Sequence, residues 1–431
     1  MRIPMREVVL GEVAQEEKRR HGSVAYEGAV FGVDKASGLT AEPRYQSKDL
    51  SRYKLVGTGM FAYNPMRLNI GSIGFLFQGR PEGIVSPDYV VFSCTQGLLV
   101  PDYFYYHTKS DVWRNWIESA GEGSVRERIY FSKLATYRFM LPSLSYQEQA
   151  VCILSALDDK IELNRQMNET LEAMAQAIFR DWFVDFGPTR RRQQGVTDFI
   201  EIMGGLVTDA ERAQRLADLF PAKFGENGLP EGWREGDLSQ FAGLNIESWG
   251  ARTAPSEIKY VDLSNTKWGA IESTTLFTWT EAPSRARRVL REGDTIVGTV
   301  RPGNGSYAYI GSDGLTGSTG FAVLRPTRRE HSEIVYCAAT SRDNIERLEK
   351  LADGGAYPAV RPDVILATPM PAIPPKMADG FSSITAPMIA KIEHNKRESH
   401  TLVATRDLLL PKLMSGEIRL QEADEVLDAA Q

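Results

Sequence analysis

Two short stretches of this chain place the same chemistry-bearing residues at the same spacing. Arg67 is followed by Gly71-Ser72, and Arg301 by Gly305-Ser306. Arginine offers a rigid planar fork of donors that fits a phosphate or the edge of a guanine. Glycine lets backbone approach closely, and serine adds a small donor or acceptor. Tyr63, Asn64 and Asn69 surround the first copy, and Asn304 and Tyr307 the second. Arg285, Arg287, Arg288 and Arg291 cluster shortly before Arg301. The candidate nucleic-acid contacts are therefore Arg67, Tyr63, Asn64, Asn69 and Ser72 in one region. In the other they are Arg301, Asn304, Ser306, Tyr307, Arg285, Arg287 and Arg288. Each arginine would contact either a base or a phosphate. The same pattern also suits a turn whose arginine is a surface ion-pair partner.

Other chemistry finds no seat. The chain has no G-x-x-x-x-G-K-[ST] phosphate loop. It also lacks the Asn/Asp-Pro-Pro-aromatic tetrapeptide of amino-methyltransferases; Asn64-Pro65-Met66 is the nearest approach, without the aromatic that stacks a flipped base. Glu-x-Lys occurs at Glu16/Lys18 and again at Glu257/Lys259, which shows how cheaply it arises. His21, His107, His331, His394 and His400 have no metal-ligand spacing. The expectation is a non-catalytic chain with no metal and no cofactor of its own.

The elements that must position these residues are written twice. Residues 160–173 (KIELNRQMNETLEA) and 391–404 (KIEHNKRESHTLVA) are identical at seven of fourteen positions. Shorter matches run in the same order. Arg6-Glu7 recurs as Arg234-Glu235, Ser86–Phe92 as Ser318–Leu324, and Leu141-Pro142 as Met370-Pro371. A separation of about 230 residues is far longer than a solenoid unit of roughly 20–50 residues. It fits a duplicated domain with its helix.

Composition sets the limits. A chain of 431 residues with 42% hydrophobic content predicts two to three packed domains. Cys94, Cys152 and Cys337 are far apart and read as reduced interior residues. No stretch approaches about 18 uninterrupted apolar residues, so a soluble cytoplasmic protein with no membrane association is expected. The formal net charge is −6. Screening confines each charge to about 8–10 Å, so a locally basic face can still grip phosphate.

The predicted organisation is residues 1–142, a globular domain of short strands with a helix near 103–119; 143–186, a long helix; and 187–229, a connector with the basic run Arg190-Arg191-Arg192. Residues 230–375 form a second globular domain and 376–420 a second long helix, ahead of an acidic tail at 421–431. The apolar seam runs through Leu154, Leu157, Ile161, Leu171, Ala175, Ile178 and Trp182, and in the copy through Met388, Ile392, Leu402, Leu409 and Leu413. Two equal helices predict an antiparallel pair, with Ile161, Leu171, Ile392 and Leu402 in its seam. Asn164 and Asn395 occupy equivalent positions, and the reading has them facing each other at mid-helix to fix the register.

At this point the residues resemble a known family. Ile178-Phe179-Arg180-Asp181-Trp182-Phe183-Val184-Asp185-Phe186 looks like the central conserved region of specificity subunits of type I restriction–modification enzymes. So does Leu410-Pro411-Lys412-Leu413-Met414-Ser415-Gly416-Glu417-Ile418 at the second helix. Leu219-Phe220-Pro221 followed by Gly228-Leu229-Pro230-Glu231-Gly232-Trp233 resembles the start of their second target-recognition domain. The resemblance implies an α+β fold with two similar mixed α/β target-recognition domains, separated by a long antiparallel two-helix coiled coil with internal pseudo-two-fold symmetry. It implies double-stranded DNA with a bipartite, asymmetric site as the target. Two methyltransferase subunits carrying S-adenosylmethionine, and restriction–translocase subunits, are the implied partners. The rival readings are a methyltransferase–specificity fusion fragment and a coiled-coil scaffold without a nucleic-acid role.

Overall fold

The duplication seen in the sequence is repeated strand for strand in the sheets. The computed structural model describes residues 3–22, 26–35, 37–41, 43, 45–120 and 128–418, so the predicted acidic tail lies outside the described residues. Contacts divide the chain into two compact units: residues 1–163 with 397–431, and residues 164–396. The division runs through both long helices, α1 (Leu144–Phe183) and α2 (Pro375–Met414), of 40 residues each. The linear boundaries drawn from the sequence set the helices apart from the domains; in the fold each unit instead includes a stretch of both.

The first unit contains, in chain order, β1 (Met5–Val9), β2 (Ala14–Glu17), β3 (Ala29–Asp34), β4 (Gly38–Thr40) and β5 (Lys54–Val56). There follow β6 (Met60–Tyr63), β7 (Ile73–Phe75), β8 (Gly83–Val85), β9 (Val90–Cys94) and β10 (Arg138–Pro142). One sheet has the order β2-β9-β6-β7 and another β4-β3-β8-β5, with β3 and β8 parallel, while β1 pairs with β10. The second unit contains β11 (Arg234–Asp237), β12 (Ala242–Leu244), β13 (Glu257–Val261), β14 (Thr266–Lys267), β15 (Ala270–Ile271) and β16 (Thr275–Thr278). It continues with β17 (Ala286–Leu290), β18 (Thr295–Gly298), β19 (Tyr307–Tyr309), β20 (Leu315–Ser318), β21 (Phe321–Pro326) and β22 (Pro369–Ala372). Its sheets run β12-β21-β18-β19 and β16-β13-β20-β17, again with one parallel pair (β13 with β20), and β11 pairs with β22. The topology is the same, with the small β14–β15 hairpin added in the second unit.

Central strands here are covered on both faces. Phe61 and Tyr63 of β6 pack into the main core with Phe92, Phe104 and Trp113, while Ala62 between them faces a smaller cluster with Phe31 and Val91. Such a strand gives no polar/apolar alternation to read.

The helix expected near 103–119 is two, Pro101–His107 and Asp111–Ala120, broken at Thr108–Ser110. The connector is more ordered than expected, with short helices at Gly187–Gln193, Phe199–Ile202 and Ala210–Ala217. Its basic run is structural. Arg191 makes a two-pronged pair with Asp181 (2.9 and 2.8 Å) and donates to the Ile202 carbonyl, and Arg192 pairs with Asp218.

Within each unit α1 and α2 pack antiparallel. In the first, Tyr146 donates to the Leu413 carbonyl, Asp158 accepts from Arg406 and Lys160 pairs with Glu398, so partners descend one helix as they ascend the other. In the second, Asn168 pairs with Asn395, and Trp182 and Phe183 pack on Phe381. Leu402 and Ile392 are buried in the seam, while Ile161 and Leu171 are partly buried. Asn164 and Asn395 are both buried, and Asn395 Nδ2 donates to Asn168 Oδ1 at 2.9 Å, one turn beyond Asn164 on α1. Pro387 leaves a gap in the hydrogen bonding of α2 without ending it: it has no N–H to give the carbonyl of Ser383, and Arg212 donates to that carbonyl instead at 2.9 Å.

Candidate nucleic-acid interface

The two Arg-x-x-x-Gly-Ser stretches fold into matching 3₁₀ turns closed by glycine, although the arginines that open them differ in backbone, Arg67 at φ −129° and Arg301 at φ +47°. In the second unit it links β18 to β19: a single 3₁₀ turn, Pro302–Asn304, ends at Gly305 with φ +67°, whose N–H returns to the Pro302 carbonyl. In the first unit it links β6 to β7. Leu68–Ile70 forms the 3₁₀ turn, and Gly71 at φ +84° returns its N–H to Leu68. The serine of each pins the turn to the neighbouring sheet. Ser306 donates to the Leu263 carbonyl at 3.3 Å, and Ser72 makes a longer contact, 3.5 Å, to that of Val33.

This geometry sorts the predicted residues. Arg67, Asn69, Arg301 and Asn304 are exposed, and Asn64 is half-buried with its side-chain oxygen accepting from the Met66 amide. Ser72 and Ser306 are buried by the pinning just described and are not available to a ligand. Tyr63 and Tyr307 are corrected likewise. Each lies on the strand beside its turn and points into the core, and burial pushes both phenols well above their ordinary range.

The second-unit turn carries an additional wall. The β14–β15 hairpin turns through Trp268 and Gly269, both at positive φ (+46° and +83°). The Trp268 indole lies against Gly305 so closely that a Cβ there would meet the ring at 2.5 Å. Trp268 donates its amide to the Gly305 carbonyl and Gly269 to that of Tyr307. Arg301, itself at φ +47°, donates from Nη2 to the Ala356 carbonyl, and its guanidinium lies 5.1 Å from the Tyr357 ring centre. The result is an open pocket of about 610 Å³ lined by Lys267, Trp268, Arg301, Asn304 and Tyr357 among others. Trp268 and Tyr357 are 58% and 72% exposed, a prominent use of aromatic surface beside two cations. Sequence reasoning missed both. The available signal was Trp-Gly between two short strand-like dipeptides, a turn sequence with an unusually large first residue.

The Arg285–Arg291 cluster is less uniform than its spacing suggests. Arg291 pairs with Glu247, which together with Asp294 also holds Arg325. Arg287 stacks on Trp279 at 4.3 Å. Arg288 donates to Ser248, and partial burial lowers its pKa. Arg285 is bound by the Tyr260 hydroxyl and Asp262 but is the most exposed of the four. These side chains brace the β13–β17 sheet as much as they present charge.

The fold and its paired turns define a duplicated two-unit protein, and comparison with known proteins shows what it is similar to. Residues 61–173 match the type I restriction modification DNA specificity domain. The type I restriction enzyme HindI specificity subunit of Haemophilus influenzae is 23% identical over 467 residues, covering 96% of this chain and 99% of that protein. The MjaIX specificity subunit of Methanocaldococcus jannaschii is 23% identical over 333 residues, with 75% and 70% covered. The crystal structure of the type I restriction–modification S subunit from M. genitalium shares the fold, with a TM-score of 0.54 at 14% identity over 95% of this chain and 96% of that one. Over nearly its whole length the chain is similar to a type I restriction–modification specificity subunit, and residues 61–173 match the DNA specificity domain of such proteins.

Proposed function

We propose that this chain is the DNA-reading subunit of a type I restriction–modification assembly and binds a bipartite, asymmetric site. The turn around Arg67 reads one half and the pocket around Arg301 the other. The observation that carries this reading is the recurrence of an exposed arginine at the head of a glycine-closed 3₁₀ turn, in two units of the same topology but with different surroundings. A shared scaffold with unlike surfaces is what two unlike half-sites require. Arg301, Lys267 and Asn304 supply donors for base edges and phosphates, and Trp268 and Tyr357 supply faces for apolar or stacking contact.

In this reading the chain acts in the cytoplasm and performs no chemistry. Two methyltransferase subunits, carrying S-adenosylmethionine, and the restriction subunits act where it directs them. Among the described residues no His/Cys/Asp/Glu group could hold a metal, and no helix is long and apolar enough to cross a membrane.

The test is co-expression with the cognate methyltransferase subunits, followed by mapping of methylated bases in the host DNA. A split motif with a fixed gap is expected. Methyl transfer by the isolated chain with S-adenosylmethionine, or methylation without a split motif, would overturn the reading.

A further inference from the structure

The hairpin that carries Trp268 has an unfavourable turn. A two-residue hairpin loop with both central residues at positive φ is the type I′ arrangement, which strongly favours Asn-Gly. Here the first position is tryptophan, at φ +46°, where a side chain with a Cβ is disfavoured. Bonds from outside the hairpin hold it: its two amides donate to the Gly305 and Tyr307 carbonyls, and a side chain of the long helix α2 takes the Gly269 carbonyl. Lys396, on α2, donates from Nζ to the Gly269 carbonyl at 2.9 Å and pairs with Glu393 at 2.7 Å. From the other side α1 contributes Glu172, which accepts from the Tyr336 hydroxyl at 2.6 Å. Gly269 fits between them only because it is glycine: a Cβ would stand 2.9 Å from the Glu172 carboxylate and 3.0 Å from the Tyr336 hydroxyl. Lys396 and Glu172 lie within the two duplicated helical stretches, far in sequence from the strands that form the pocket walls.

We propose that Lys396 is a positioning residue for base reading. By holding the Gly269 carbonyl it fixes the strained Trp268 turn beside Arg301, so that a side chain of the helix pair sets the fidelity of one half-site. The proposal rests on the reading that the Arg301 pocket faces DNA. Lys396 has no need to touch the DNA: its ammonium is engaged by Gly269 and Glu393, and its side chain is 29% exposed.

The experiment uses the full chain and a pool of random-sequence DNA duplexes, with bound duplexes recovered and sequenced. Lys396→Met is expected to weaken discrimination at the bases of one half-site by about fivefold or more, the scale of a displaced base-reading contact. The other half-site keeps its preferences, and the salt dependence of binding keeps its slope, since no phosphate contact is lost. Lys396→Arg, which can still donate to the Gly269 carbonyl, restores discrimination. Lys396→Gln retains a donor on a shorter stem, gives an intermediate result and serves if the Met variant does not fold. Ile392→Val is a nearby destabilising control that leaves the selected motif intact. An unchanged motif in Lys396→Met, equal relaxation of both half-sites, or a salt slope lower by about one would overturn the proposal. Failure of the underlying reading looks different: Trp268→Ala and Arg301→Ala would then also leave the selected motif unchanged.

Discussion

Trp268 is the residue at which stability and recognition pull apart. Its left-handed backbone carries a penalty on the order of 1–2 kcal/mol, while more than half of the side chain remains in water. Trp268→Asn places in the turn a residue that tolerates this conformation. Thermal unfolding should show stability held or raised by up to about 1 kcal/mol, while selection from random duplexes should show one half-site blurred. A loss of about 3 kcal/mol would instead mark Trp268 as a packing residue. His107 makes the second residue-scale case. It is fully buried, its Nε2 shares a hydrogen with the Tyr137 hydroxyl at 2.8 Å, and burial lowers its pKa from 6.5 to about 4. The unfolded chain therefore binds a proton as pH falls below 6.5, and the folded chain does not until about 4. Stability should decline across that window by on the order of 2–4 kcal/mol and level off below it. His107→Gln should flatten that part of the stability–pH profile measured by urea unfolding, and an unaltered slope would remove His107 as its source. At this scale the sequence was half legible. The exposed arginines and the role of glycine could be read from type and spacing, whereas Tyr63 and Tyr307 could not be placed. A tyrosine on a strand covered on both faces shows no alternation to say which way it points.

At the scale of elements, the long helices were the legible part and their accessories were not. A buried seam with a repeated fourteen-residue stretch predicts an antiparallel pair, and each unit contains one. The three short helices after Phe186 run only 7, 4 and 8 residues, too short for a period to be read, although Ile202, Ala213, Leu216 and Ala217 reach the core; side-chain-to-backbone bonds and ion pairs hold them as well. Arg191 shows how. Its fork spans Asp181 at the end of α1 and the Ile202 carbonyl, tying two elements together from a partly buried position. Arg190, one residue earlier, reaches the Asp185 carbonyl and lies 5.8 Å from the Phe224 ring centre, from an exposed site. Arg191→Ala should therefore destabilise the second unit by about 1–3 kcal/mol, since charged hydrogen-bond partners are left unmatched. Arg190→Ala should stay within about 0.5 kcal/mol of the parent. Equal effects in urea unfolding would mean that the basic run acts through net charge and not through these bonds.

At the scale of the whole molecule, duplication was legible in outline because matched fragments kept one order and nearly one offset. The sheet orders were not, because strand pairing between distant segments leaves no local trace in a single sequence. What duplication predicts is separable recognition. Arg67 and Arg301 sit at the head of matching turns in different units, and the main core cluster of one unit shares no residue with that of the other. With no common partner, substitutions at the two sites should act independently. Arg67→Ala and Arg301→Ala should each relax a different half of the DNA motif and weaken binding by about 1–3 kcal/mol if the lost contact is to a base edge. If the contact is to phosphate, preferences persist and the salt slope falls by about one. In either case the double variant should equal the sum of the singles to within about 0.5 kcal/mol. Equilibrium binding to the selected duplex, and to duplexes with one half scrambled, measures all of these terms. Relaxation of the same bases by both variants, or a coupling above about 1 kcal/mol, would mean that the two turns read one shared contact surface and not two half-sites.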